Sequence, residues 1–130
     1  MVKILIRTIQ KDAKRYGIKT LYRGGCKFVV QKTFRQIVLF RIGTFMKSTN
    51  KSNGLYAVPY FIIKVLYRSL CYSTGIQLEF GTKIGAGIFF AHYSCIVINR
   101  ECVIGENCTI YQGVTFRYYI TSQWISPKYR

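Results

Sequence analysis

The sequence predicts an α+β fold in which an N-terminal helical region leads into about two coils of a parallel β-helix. Three observations carry this. Aliphatic or aromatic residues recur every sixth position at Leu78, Ile84, Phe90 and Ile96, then again at Ile98, Ile104, Ile110 and Phe116 after a slip of two residues. The chain ahead of that rhythm carries helical patterning broken by polar and glycine-rich stretches. Charge divides along the same line: residues 1–75 hold fifteen Lys/Arg against one acid, Asp12, whereas residues 76–116 hold Lys83 and Arg100 against Glu79, Glu101 and Glu106. The expected organisation is a basic helical region at 1–75, a hexapeptide-repeat β-helix at 76–116 and a non-repeat tail at 117–130.

In the first segment, residues 3–16 place Ile4, Leu5, Thr8, Ile9 and Ala13 on one stripe with Lys and Arg opposite, which reads as a basic amphipathic helix. Gly17 is well placed to end it, since glycine accepts the left-handed conformation that closes many helices. Residues 18–25 form a connector ending in Gly24-Gly25. A second helix is expected from Cys26 to about Met46, with Phe28, Val29, Phe34, Ile37, Val38, Phe40, Ile42 and Phe45 on a broad apolar face. The polar run KSTNKSNG at 47–54 reads as a linker. A third helix is expected within 55–75, where Pro59 suits a first turn. Lys64 and Arg68 interrupt that segment, so it is a poor membrane span. It either packs on its neighbours or lies in a lipid headgroup layer.

A period of six fits neither the 3.6-residue helix nor the two-residue strand. It fits a solenoid in which three short strands make one triangular coil and each marker points inward. Glycine follows the marker at Ile84-Gly85 and Ile104-Gly105, where the backbone turns sharply. Cys95, Cys102 and Cys108 fall in slots that suit a small hydrophobe. After Phe116 the tail RYYITSQWISPKYR holds no marker in phase with the coils. Either it caps the solenoid or, as is favoured here, the chain stops early relative to a longer design.

Composition narrows the function classes. The five cysteines show no CxxC spacing and no ligand pattern with the single histidine, so no metal is expected. An odd cysteine count, with an opening MVKILIRTIQKD too short in apolar run for a signal peptide, favours a reducing cytoplasm. The basic region admits three readings: a solvated helical surface, contact with an anionic membrane, or nucleic-acid binding. Nucleic acid is the least supported, because no recognition motif accompanies the charge.

His92 is the residue best suited to chemistry. It lies two positions after the marker Phe90, in FFAHYSCIVIN, next to the two-residue slip. A neutral imidazole there can act as a general base toward an attacking hydroxyl. The other reading is a surface histidine beside a coil corner. Residues alone leave both open.

The segment from Gly75 to Thr115 resembles the catalytic half of the serine acetyltransferase family of hexapeptide-repeat acyltransferases. The matching residues are Lys83-Ile84-Gly85-x-Gly87, His92, Ile96-Val97-Ile98, Val103-Ile104-Gly105 and Gln112-Gly113-Val114-Thr115, together with the slip after His92. GIQLEFGTKIG and IVIN resemble the branch associated with capsular or surface polysaccharide. The resemblance implies a left-handed β-helix and a homotrimer with sites between subunits. It also implies acetyl-CoA as donor, no metal, and His92 as the base that deprotonates the acceptor hydroxyl.

Departures from that family bear on the acceptor. Ala91 stands where the family has an acid before the histidine, and Gln77 and Glu79 stand where it has an aspartate and a histidine. Gln77 and Glu79 are therefore candidate acceptor-binding residues, with a solvated corner as the other role for Glu79. Serine and a surface-polysaccharide sugar are both expected acceptors. The coils that line most of the acetyl-CoA groove in the family are not found after Phe116. A truncated, non-catalytic member, acting at most through interaction or membrane association, is thus the competing expectation.

Overall fold

The computed structural model describes residues 2–18, 31–49 and 57–117. Three helices, α1 (Val2–Arg15), α2 (Lys32–Thr49) and α3 (Ala57–Thr74), precede seven short strands. The strands are β1 (Ile76–Leu78), β2 (Lys83–Ile84), β3 (Phe89–Phe90), β4 (Ile96–Ile98), β5 (Val103–Ile104), β6 (Thr109–Ile110) and β7 (Thr115–Phe116). They form three parallel sheets, ordered β1-β4-β7, β2-β5 and β3-β6. Each sheet is one face of a triangular solenoid. The observed class is the expected one, α+β with helices leading into a parallel β-helix.

The six-residue markers meet one another inside the coils. Leu78 is in register with Ile98 and Ile98 with Phe116, Ile84 with Ile104, and Phe90 with Ile110. All are buried except Ile84 and Phe116, which are half-buried. Burying such side chains stabilises by about 1.5–3 kcal/mol each, so the repeat is the main apolar column of this half. Cys102 and Cys108 pack against that column as expected. Cys95 does not: it is exposed and takes φ of 50° at a corner, so it serves the turn rather than the core.

Glycine matters most where coil meets coil. A Cβ on Gly85 would lie 2.5 Å from the Glu106 nitrogen and 2.6 Å from the Gly105 carbonyl carbon. The two corners stack backbone on backbone, which only the missing side chain permits.

The helices depart from expectation in two places. In α1, Ala13 is buried but Ile4 is 68% exposed, on an open groove that α1 shares with α2 and with Lys83 and Ile84 of the first coil. Gly17 ends the helix as expected, with φ of 70° and its N–H donating to the Lys14 carbonyl. Lys47, Ser48 and Thr49 are helical rather than linker. Ser48 and Thr49 hydroxyls donate back to the Phe45 carbonyl, and Lys47 Nζ donates to the Phe80 carbonyl at 2.9 Å. These polar side chains satisfy the helix end that their composition reads as breaking. The Gly24-Gly25 connector, the stretch 26–30 with Cys26, Phe28 and Val29, the rest of the polar run and residues 118–130 lie outside the described residues.

The middle helix, α2, packs against both α1 and α3, and polar side chains fasten the layer to the first coil. Gln36 Nε2 donates to the Ile76 carbonyl at 3.0 Å, Tyr67 Oη to the Leu78 carbonyl at 2.6 Å, and Arg41 Nη1 to the Ile84 carbonyl at 2.6 Å. From α1, Asp12 accepts the N–H groups of Gly87 and Ile88, and just past the helix Tyr16 Oη accepts that of Phe90. The ring of Phe80 lies so close on Gly43 that a Cβ there would meet it at 2.5 Å. Helices and coils therefore share one core, and the first coil is held in place by side chains of all three helices.

Candidate active site

His92 sits on the connection from β3 to β4, and that connection is the enlarged corner of the solenoid. Ile98 follows Phe90 by eight positions, whereas Phe116 follows Ile110, one coil later, by six. The two extra residues therefore bulge the corner at 91–95. Backbone bonds secure it on both sides. Ala91 N–H donates to the Ile110 carbonyl at 3.0 Å, Ile96 N–H to the Gly75 carbonyl at 3.1 Å, and Gly113 N–H to the Ser94 carbonyl at 3.1 Å. His92 and its neighbour Tyr93 are exposed on this fixed base.

Such a corner can present an imidazole outward without local unfolding. Bonds at Ala91, Ser94 and Ile96 tie the flanks of the protruding His92-Tyr93 turn to the next coil and to Gly75 at the end of α3. An exposed imidazole on a rigid support can exchange a proton with a hydroxyl brought to it.

Gln77 and Glu79 lie elsewhere on the coil. Gln77 points outward from β1, and Glu79 begins the corner between β1 and β2, its carbonyl accepting Thr82 N–H and Oγ1–H. Both line a cleft of about 610 Å³ between β1 and α3, together with Lys47, Lys64, Arg68 and Tyr72. His92 does not line this cleft, and no hydrogen bond or ion pair joins it to Gln77 or Glu79. Within one chain the structure thus brings Gln77 and Glu79 together but not with His92.

The cations of the cleft escaped the sequence reading as site residues. Lys64 and Arg68, four apart on α3, share one flank of the helix, and that spacing was the available signal. At the cleft wall, Cys71 is half-buried and accepts from Gln36 Nε2. Burial pushes its thiol above the usual range, which keeps it protonated and poorly suited to act as a nucleophile. Among the described residues no group of three His, Cys, Asp or Glu is placed to hold a metal ion.

No protein-family model matches the chain. By sequence it is similar to the serine acetyltransferase of Helicobacter pylori (strain ATCC 700392 / 26695), with 43% identity over 56 residues, which is 43% of this chain and 33% of that protein. It is also similar to the serine acetyltransferase of Staphylococcus aureus (strain N315), 52% identical over 42 residues, 32% of this chain and 20% of that protein. The chain thus spans a third or less of the length of these relatives. Among solved structures, a serine acetyltransferase in complex with CoA superposes with a TM-score of 0.62 at 22% identity, over 85% of this chain and 45% of that one. The chain therefore has the fold of that serine acetyltransferase, helices followed by a left-handed parallel β-helix, and part of it is similar in sequence to serine acetyltransferases.

Proposed function

We propose that this chain is the acceptor-and-base part of an acetyl-CoA-dependent O-acetyltransferase, with His92 as general base. The observation that carries the reading is the enlarged β3–β4 corner, which holds the single histidine of the chain exposed between backbone bonds at Ala91 and Ser94. Sequence similarity to serine acetyltransferases supports the reaction class, and a solved relative that binds CoA supports the donor.

In this reaction the imidazole of His92 takes the proton of the acceptor hydroxyl as its oxygen attacks the thioester carbonyl carbon. The tetrahedral intermediate collapses with cleavage of the C–S bond. The imidazolium returns its proton to the departing sulfur, giving the acetyl ester and CoA thiol. Holding hydroxyl, base and thioester in line is the main demand on the protein.

The acceptor is a hydroxyl of serine or of a surface-polysaccharide sugar. The cleft beside Gln77 and Glu79 supports this range, being lined by polar and charged side chains and wide enough for a monosaccharide. In a homotrimer His92 of one subunit faces the acceptor residues of its neighbour, which reconciles the exposed corner with a cleft it does not line. The reaction would run in the cytoplasm, where acetyl-CoA is made.

Release of CoA thiol from acetyl-CoA, followed with serine and separately with hexoses or hexosamines, tests the reading. Acceptor-dependent thiol release is expected. A folded protein giving no release above the uncatalysed rate with any of these acceptors overturns it.

A further inference from the structure

The outer face of α3 is as apolar as the inner one. Val58, Phe61, Ile62, Val65, Leu66 and Tyr72 recur at helical spacing, and each is more than half exposed. The opposite side already carries the packing, through Tyr60, Ile63, Tyr67 and Cys71 against the core. A helix that is apolar all round belongs in an apolar environment on every side. Here one side faces the protein and the other is open. No helix among the described residues is long and apolar enough to cross a membrane.

The charge around the stripe indicates what covers it. Lys64 and Arg68 are exposed along one flank, and α3 contains no acid. Residues 1–75 contain a single acid, Asp12, which is fully buried against Arg41. Pairing two copies stripe to stripe would set these cations against one another, with Glu79 the single carboxylate that lines the cleft beside them. Anionic lipid answers them directly. Apolar side chains enter the headgroup boundary while Lys and Arg, on long flexible stems, reach phosphate.

We propose that α3 is an interfacial membrane-docking helix, which lays the stripe from Val58 to Tyr72 on an anionic bilayer with Lys64 and Arg68 bound to lipid phosphates. This holds the solenoid at the membrane surface without a spanning segment. Of the stripe, Val58, Phe61, Ile62, Val65 and Leu66 lie outside the cleft beside Gln77 and Glu79, whereas Lys64, Arg68 and Tyr72 stand at the boundary between the two surfaces.

Cosedimentation of the full chain with phosphatidylcholine vesicles, with and without phosphatidylglycerol, tests the proposal. Binding is expected to the mixed vesicles and to be weaker at high salt. Lys64→Ala with Arg68→Ala should weaken it by roughly fivefold per charge removed. Phe61→Ser with Val65→Ser should weaken it about tenfold or more. All four side chains are exposed, so the variants should keep the wild-type circular dichroism spectrum, which is recorded alongside. Three results overturn the proposal: folded wild-type protein that ignores anionic vesicles, undiminished binding by the Phe61/Val65 variant, or a variant that dissociates an oligomer while its vesicle affinity stays unchanged.

Discussion

Arg41 Nε donates to Asp12 Oδ2 at 3.0 Å, joining α2 to α1 through a pair in which the carboxylate is wholly buried. Neither partner stops there. Asp12 Oδ1 accepts the N–H groups of Gly87 and Ile88 at 2.7 and 3.1 Å, and Arg41 Nη2 donates to the Gly85 carbonyl at 2.7 Å. The pair therefore clasps the β2–β3 corner of the first coil, each charge bonding to its partner and to backbone groups of that corner.

Removing one member leaves the other buried and unpaired, which costs about 3–5 kcal/mol. Asp12→Ala is expected to lower stability by that amount in urea unfolding. Asp12→Leu combined with Arg41→Met should recover part of the loss, because no uncompensated charge then remains. A cost for Asp12→Ala below about 1 kcal/mol, the range of a surface pair, would show that the clasp does not hold the layers together.

The stacking of Gly85 on Gly105 and Glu106 gives a second prediction. Gly85→Ala forces a Cβ into backbone atoms that cannot rotate away, so the coils must separate locally. A loss of about 1–3 kcal/mol is expected. Gly105→Ala is the control, since a Cβ there meets nothing within 4 Å. Equal melting temperatures for the two variants would contradict the stacked corner.

Alkaline pH should unfold the protein through its tyrosines. Burial pushes Tyr16 from 10.0 up to about 12, and Tyr67 is raised as well, again chiefly by burial. A raised folded pKa means the folded state holds its proton more tightly than the unfolded chain. The contribution is whole below pH 10 and is lost as pH rises toward 12. Stability measured by urea at pH 8, 10 and 11 is expected to fall only above pH 10. Tyr16→Phe should flatten that fall, at the expense of the bond from Phe90 N–H.

The repeat was legible because each of its markers fills one fixed slot of a coil. Leu78, Phe90, Ile98, Ile104 and Ile110 are buried where their spacing puts them, and the slip after Phe90 appears as the enlarged corner. Helix contacts were less legible. Asp12 counts in the sequence as one acid among many bases, and nothing local marks it as buried, since its partners lie 29 and more residues away. Ile4 carries the right periodicity but faces an open groove beside Lys83 and Ile84 rather than a packed core. The site shows the same divide: the rhythm put His92 two positions past Phe90 and next to the slip, leaving strand or turn open, whereas the cleft at Gln77 and Glu79 needs α3 laid beside β1.

The most direct measurement is the steady-state rate of acetyl-CoA-dependent acetylation by His92→Gln compared with wild type. Glutamine preserves size and polarity at an exposed position, so the fold and KM for the acceptor should hold. A general base contributes about 10²–10⁴-fold, and kcat is expected to fall within that range. A kcat within about threefold of wild type, well short of that contribution, would contradict the assignment of His92 as the base.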